Sequence, residues 1–169
     1  MANMLSSDIL EAQFGPTEVA VLHQDNLERI ICTKVLASGQ VLELSRVVFG
    51  GAGAEKFPDI HRAIVAGESM GKAFRAAGIE FVRETKGAYK QTLPANLQQW
   101  FGSSEAATVV DVSILVGADQ VPYAQILEVY SPAVRWPHSI GQPTTEQRLV
   151  ISRLDKFLKE LQEPAWGSS

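Results

Sequence analysis

The order of secondary-structure elements that the sequence predicts occurs twice along the chain, and this recurrence is the strongest constraint on the fold. A short helix, a glycine, a strand and a strand–turn–strand segment follow one another from Asp8 to Val48, and again from Ser69 to Tyr130. Two such units would form one antiparallel sheet of about six strands with helices on its faces. The recurrence is either a structural repeat or a chance repetition of a common order.

The two strand–turn–strand segments define the fold class. One is ERIICTKVLASGQVLELSRVVF, with a turn at Ser38-Gly39, and the other is TVVDVSILVGADQVPYAQILEVYSP, with a turn near Gly117. Both alternate polar and apolar residues around residues that favour tight turns. We therefore predict an α+β protein in which an antiparallel sheet of about six strands and flanking helices enclose an internal ligand cavity.

The C-terminal segment TTEQRLVISRLDKFLKELQ predicts an amphipathic helix. Its apolar residues form one stripe along the helix, in which Ile151 is less well aligned than the other members. These other members are Leu149, Leu154, Phe157, Leu158 and Leu161. The stripe packs on the domain or, as the alternative, forms a dimer contact. We divide the chain into a domain over 1–132 and a proline-rich joint with this helix over 133–169.

Composition excludes several classes of function. The net charge of −4 provides no basic surface for nucleic acid and argues against an anionic membrane surface. No apolar stretch approaches the roughly 20 residues of a membrane span, and the N-terminus does not resemble a signal peptide. The single cysteine, Cys32, fits a reducing cytosol, and the histidines lack metal-ligand spacing. We expect a cytoplasmic monomer or homodimer without a metal or cofactor.

Two charged residues interrupt apolar strand patterns. In VPYAQILEVYSP, Glu128 shares a strand face with Ile126 and Tyr130, and in VLELSRVVF, Arg46 shares a face with Leu44. One interpretation is that these residues pair with each other or lie on solvated faces. The other is a closed polar site for a small anion, in which the arginine binds a carboxylate and a desolvated glutamate acts as an acid. A further pair, Arg83 and Glu84, is expected to be exposed, although one member could enter the site.

At these residues the sequence resembles the chorismate lyase family, whose fold also occurs in effector-binding domains of bacterial regulators. The resemblance covers roughly Leu5 to Pro132 and is carried by SSDILEAQFGPTEVAVLHQ, VLASGQVLELSRVVF, ESMGKAF and ILVGADQVPYAQILEVYSP. It implies a cofactor-independent carbon–oxygen lyase that releases pyruvate from chorismate, or from a similar carboxylate, to give a hydroxybenzoate. The implied ligand is a small aromatic or cyclohexadiene carboxylate.

The resemblance also implies roles for individual residues. Glu128 takes the place of the catalytic acid and Arg46 that of the arginine at the end of the first hairpin, and both are predicted to be catalytic. The predicted substrate-binding residues are Arg29, Ile9, Met70 and Gly71. Two departures from the family pattern are the spacing between Arg29 and the hairpin turn and the serine that replaces a proline before Met70.

Two alternative functions follow from these departures. One is another elimination or cyclisation reaction of secondary metabolism on the same fold. The other is a non-catalytic small-molecule sensor. Because no basic helix-turn-helix precedes the domain in this sequence, we expect the sensor less than the lyase.

Overall fold

The computed structural model describes residues 6–50, 52–138 and 140–166, and these residues contain six helices and six strands. The helices are α1 (Ser6–Phe14), α2 (Ala52–Lys56), α3 (Pro58–Val65), α4 (Met70–Ala76), α5 (Ala95–Phe101) and α6 (Thr145–Trp166). The strands are β1 (Thr17–Gln24), β2 (Glu28–Val35), β3 (Val41–Phe49), β4 (Phe81–Gln91), β5 (Ala107–Val116) and β6 (Val121–Tyr130).

All six strands belong to one antiparallel sheet in the order β1-β2-β3-β6-β5-β4. Each half of the sheet is a three-stranded meander preceded by a helix, and the third strands of the two halves pair at the centre. Gly39 adopts φ +76° at the predicted turn between β2 and β3, a conformation that glycine adopts without strain. The predicted α+β class, with a six-stranded antiparallel sheet and flanking helices, is therefore confirmed.

The first four helices pack on one face of the sheet. Leu10 of α1, Ile64 of α3 and Phe74 of α4 join buried residues of the sheet in one hydrophobic cluster. Helix α2 approaches β6 closely at Gly53, where a Cβ would lie 2.6 Å from the Pro122 carbonyl oxygen. Only glycine fits this contact without displacement of the backbone. This face also contains the candidate site.

Helices α5 and α6 pack on the opposite face, so helices lie on both faces of the sheet. Ile151, Leu154 and Leu158 of α6 are buried in a second cluster together with Leu97 of α5. The predicted stripe was wrong at Leu149, which is 54% exposed, whereas Ile151, the less well placed member, is buried. The side chain of Leu161 lies outside the described residues. The boundary at residue 132 stays a prediction. In the described ranges, no helix combines the length and apolar character that a membrane crossing needs.

Candidate ligand site

A cavity of about 430 Å³ lies between the sheet and the helices of the first face. Its floor is formed by strands β1, β2, β3, β4 and β6, and its rim by the first residue of α1 and the segment that leads into α4. The volume is within the range of sites that hold small organic molecules. The cavity therefore brings residues from both halves of the sequence into one chamber.

Strand register decides which side chains face this cavity. Ser45 pairs with Glu128 across β3 and β6, and paired residues share a sheet face. Because successive side chains alternate between faces, Glu43 and Val47 of β3 point the same way as Ser45. All of these residues line the cavity.

Arg46 lies on the opposite face of the sheet, and its predicted convergence with Glu128 was wrong. It pairs with Leu127 across β3 and β6, one position away from the pair that contains Glu128. Its Nε donates to Glu28 Oε2 at 2.9 Å, in an ion pair that is partly exposed to solvent. The sequence pattern identified two alternating faces on each strand but did not identify the cavity side, because helices cover both faces.

Glu128 is buried in the cavity wall, as predicted, but its carboxylate is already paired. It forms a salt bridge with Arg83 of β4, and Oε1 also accepts a hydrogen bond from the Tyr130 hydroxyl at 3.0 Å. Burial lowers the pKa of Arg83, but the neighbouring acidic groups, chiefly Glu128, outweigh this effect and raise it. The Glu128 carboxylate, which was predicted to act as an acid, therefore serves as the counter-ion of Arg83.

Arg83 is the member of the Arg83–Glu84 pair that enters the site, which was the less expected of the two alternatives. It was expected to form an exposed pair with Glu84, yet its side chain is only 11% exposed and lies on the cavity floor. Alternation in the strand pattern FVRET puts Arg83 on the same face as Phe81, which packs against the first hydrophobic cluster. That shared face was the sequence signal that indicated an inward arginine.

Arg29 of β2 lines the cavity, as the sequence predicted, and it is 8% exposed. Its Nε donates to Gln24 Oε1 at 2.6 Å, and its Nη2 donates to the carbonyl oxygens of Ile64 and of Glu68, the latter at 3.2 Å. All of these acceptors are neutral, and Arg29 forms no salt bridge with any other described residue. Burial lowers the pKa of its guanidinium. The cavity wall therefore contains a cation that has no counter-ion among the described residues.

Glu43 of β3 is a second acid in the same wall, and the sequence analysis did not assign it to the site. It is 2% exposed, and its Oε1 accepts from the Thr33 hydroxyl at 3.1 Å. Its Oε2 is buried and has no hydrogen-bond partner among the described residues. Burial, and then the negative charge of Glu128, raise the pKa of Glu43 to about 8. The alternation that places Arg46 on one face places Glu43 on the other, so the signal was present.

The remaining predicted site residues lie near the helices. Met70 and Gly71 line the cavity at the start of α4, where Ser69 Oγ accepts from the Lys72 backbone N–H at 3.5 Å. Ile9 is 6% exposed within α1 but is not among the described residues that line the cavity. The first residue of α1, Ser6, lies on the rim instead.

One group of metal-ligating side chains occurs at the turn between β1 and β2. Atoms of His23, Asp25 and Glu28 that could bind a metal lie within 4.8 Å of one another. Glu28 also accepts from Arg46, and that positive charge opposes a bound cation. The group is separate from the residues that line the cavity.

Neither the protein-family models nor the curated proteins gave a match to this chain. Several solved structures, in contrast, match this chain. The ligand-binding domain of a proposed GntR-family transcriptional regulator from Bordetella bronchiseptica has a TM-score of 0.50 and 9% identity, over 74% of this chain and 92% of that chain. YydK, a possible transcriptional regulator from Bacillus subtilis, has a TM-score of 0.54 and 12% identity, over 83% and 67%. PhnF from Mycobacterium smegmatis has a TM-score of 0.55 and 11% identity, over 85% and 69%.

At these identities the similarity shows a shared fold, which is the chorismate lyase-like fold that the sequence predicted. The predicted carbon–oxygen lyase was wrong. Two of these three structures are described as transcriptional regulators, one of them as a ligand-binding domain, and none as an enzyme. The geometry agrees with this correction, because Arg46 faces away from the cavity and Glu128 is held by Arg83.

Proposed function

We propose that this chain is a non-catalytic binding domain for a small organic anion, and that Arg29 holds the anionic group. The observation that carries the proposal is the unbalanced charge in the cavity wall. Arg29 is almost fully buried, lines the cavity and has only neutral hydrogen-bond acceptors among the described residues. The site thus has a cation available to a ligand before any protein contact is broken.

The energetics of burial favour an anionic ligand. A guanidinium that leaves water loses hydration free energy, and neutral acceptors compensate only part of that loss. A carboxylate that enters beside Arg29 would supply the missing negative charge, and it would accept from Nη1, the guanidinium nitrogen that has no hydrogen-bond partner among the described residues. Arg83 is a weaker candidate for the same role, because its charge is already balanced by Glu128.

The apolar part of the cavity wall supports a ligand with a hydrophobic body. Val19 and Val21 of β1 are exposed at its mouth, and Ile31, Val47 and Ile126 line it from neighbouring strands. A ring of the size predicted from the sequence, aromatic or cyclohexadiene, fits a cavity of about 430 Å³. We propose a cyclic carboxylate as the ligand class, with the ring packed on the valines and the carboxylate at Arg29.

The comparisons support binding over catalysis. The Bordetella bronchiseptica structure with the same fold is described as a ligand-binding domain. In this chain the acidic group expected to donate a proton is engaged in a buried ion pair. Glu128 then acts as a positioning residue, because it holds Arg83 in the cavity floor.

The experiment is a binding measurement with matched acids and amides. Benzoate, 4-hydroxybenzoate and cyclohexanecarboxylate are titrated into the protein by isothermal calorimetry, and benzamide serves as the uncharged control. We expect the acids to bind and benzamide to bind roughly tenfold or more weakly, as expected for loss of a charged hydrogen bond. Equal binding of benzamide and benzoate would contradict the proposal.

Single-residue variants test whether the anionic group of the ligand binds at Arg29. Arg29→Gln should weaken binding of the acids roughly tenfold or more and leave benzamide unchanged. Arg62→Gln is the matched control, because Arg62 is an exposed arginine that pairs with Asp59 on α3. Arg29→Lys keeps the charge but cannot hold the neutral acceptors and the ligand at once with a planar guanidinium, so its affinity for the acids should fall between those of Arg29→Gln and Arg62→Gln. Unfolding curves for each variant separate a binding effect from a folding effect.

A further inference from the structure

The unpartnered oxygen of Glu43 is the feature of the cavity that an anionic ligand leaves unexplained. The residue is 2% exposed and lines the cavity, and Oε2 has no hydrogen-bond partner among the described residues. A buried carboxyl oxygen without a partner is costly, and native proteins rarely retain one without a function. The ligand carboxylate is assigned to Arg29, so it leaves this oxygen without a partner.

The acidic residues that line the cavity and the unpaired arginine lie at different positions along the sheet. Near Glu43 there are two acids, Glu43 and Glu128, but a single cation, Arg83, which is paired with Glu128. Arg29 lies at the other end and forms no salt bridge with any described residue. Among the described residues, one end of the cavity therefore has a cation without a counter-ion, and the other end has an acid, Glu43, whose ionised form would have no cation of its own.

Strand register gives the distance between these two ends. Arg29 pairs with Val47 of β3, whereas Glu43 is four residues earlier on the same strand. At about 3.3 Å per residue, the two backbone positions lie roughly 13 Å apart. The amine and carboxylate of an α-amino acid share one carbon and are too close together to reach both ends.

We propose that the ligand is a zwitterion whose ammonium and carboxylate groups are separated by a ring or a chain of several carbons, with the carboxylate at Arg29 and the ammonium at Glu43. This inference rests on the proposed function, since it assigns the carboxylate to Arg29. The ammonium would donate to Glu43 Oε2, and the Ser45 hydroxyl lies on the same cavity wall. Its charge would balance the second acid, so both ends of the cavity would become neutral.

Proton exchange provides a signature of this arrangement. The titratable or polar groups that act on Glu43 from its own and the surrounding strands are Cys32, Thr33, Ser45, Arg83, Glu128 and Tyr130. Without a ligand, the raised pKa keeps Glu43 largely protonated at neutral pH. An ammonium beside it favours the carboxylate, so Glu43 releases a proton to solvent as the ligand binds. Affinity for the zwitterion should therefore rise from pH 6 to pH 8.

The test compares 4-(aminomethyl)benzoate with 4-ethylbenzoate, which has the same shape and carboxylate but no amine. Titrations at pH 7 in several buffers of different ionisation enthalpy give both the affinity and the number of protons released. We expect 4-(aminomethyl)benzoate to bind about tenfold or more tightly and to release close to one proton. In Glu43→Gln both differences should disappear, while 4-ethylbenzoate binds as it does to the wild type.

The outcomes separate this inference from the proposed function. If both acids bind through Arg29 with equal affinity, or if Glu43→Gln keeps the preference for the amine, the zwitterion is refuted and the anion site remains. If neither acid shows saturable binding that Arg29→Gln weakens, both proposals are refuted. Should Glu43→Gln fail to fold, the proton count and the pH dependence of the wild type decide the result, because a protein that releases no proton contradicts the inference.

Discussion

Replacement of Glu43 by glutamine should change how stability depends on pH, and this prediction tests the electrostatics of the cavity without a ligand. Glutamine keeps the size of the side chain and its hydrogen bond with Thr33, but it cannot ionise. The pKa of Glu43 is raised from 4.5 to about 8 in the folded protein. Its protonation is therefore coupled to folding.

The sign and size of the effect follow from this shift. Below pH 4.5 both the folded and the unfolded states are protonated at this residue, so the wild type has no ionisation penalty. Between pH 4.5 and about 8 the unfolded chain has lost the proton and the folded protein keeps it, so the free energy of unfolding falls as pH rises. The slope is about 1.4 kcal/mol per pH unit, or roughly 4 kcal/mol between pH 5 and pH 8. Above pH 8 the folded state ionises as well, and the loss is complete.

Urea denaturation at pH 5, 6, 7 and 8, followed by circular dichroism, measures this difference. The wild type should lose stability relative to Glu43→Gln at each step, and titrating groups that do not interact with Glu43 cancel in the comparison because both proteins contain them. Glu105→Gln, at an exposed loop position, serves as the matched control and should run parallel to the wild type. Parallel curves for the wild type and Glu43→Gln would refute the argument that Glu43 lies in a site deficient in positive charge.

Three further predictions concern the free energy of unfolding and follow from a buried ion pair and from close packing. Arg83→Ala should destabilise the protein by about 3–5 kcal/mol, because it leaves Glu128 buried without its cation; urea unfolding with an unchanged midpoint would contradict this. Gly53→Ala should cost about 1–3 kcal/mol, since its Cβ would lie 2.6 Å from a carbonyl oxygen of β6, and a thermal melt equal to the wild type would count against that contact. Leu158→Ala should cost about 2–5 kcal/mol, whereas Leu149→Ala, at an exposed position of the same helix, should stay within about 0.5 kcal/mol; equal losses would mean that α6 packs by another face.

The sequence predicted the sheet because local signals determine it. Alternating apolar residues and glycine turns specify each strand and hairpin. The recurrence left a structural repeat and a chance repetition open, and the symmetric strand order agrees with the structural repeat. Long-range register is different, because the alignment of β3 with β6 depends on packing between residues more than 80 positions apart, such as Ser45 and Glu128.

The candidate site was only partly predictable for the same reason. Glu128 and Arg29 stand out as charges in apolar strands, and both line the cavity. Arg46 stands out equally, yet it faces the helices of the second layer. When both faces of a strand are buried, a charged residue in its sequence shows that one face has a polar environment. It does not show which of the two faces lines the cavity. Alternation placed Arg83 on the face of Phe81 and Glu43 on the face opposite Arg46, but only the cross-strand neighbours showed that these side chains line the cavity.

The most direct test of the central claim is a crystal structure of the protein with bound 4-hydroxybenzoate, in which the position of the carboxylate is observed. We predict that the carboxylate lies inside the cavity, within hydrogen-bond distance of the Arg29 guanidinium, with the ring between the β1 valines and the Met70–Gly71 rim. A carboxylate bound elsewhere, or a ligand that avoids the cavity while Arg29 keeps only its neutral acceptors, would contradict the claim that this buried cation is an anion-binding site.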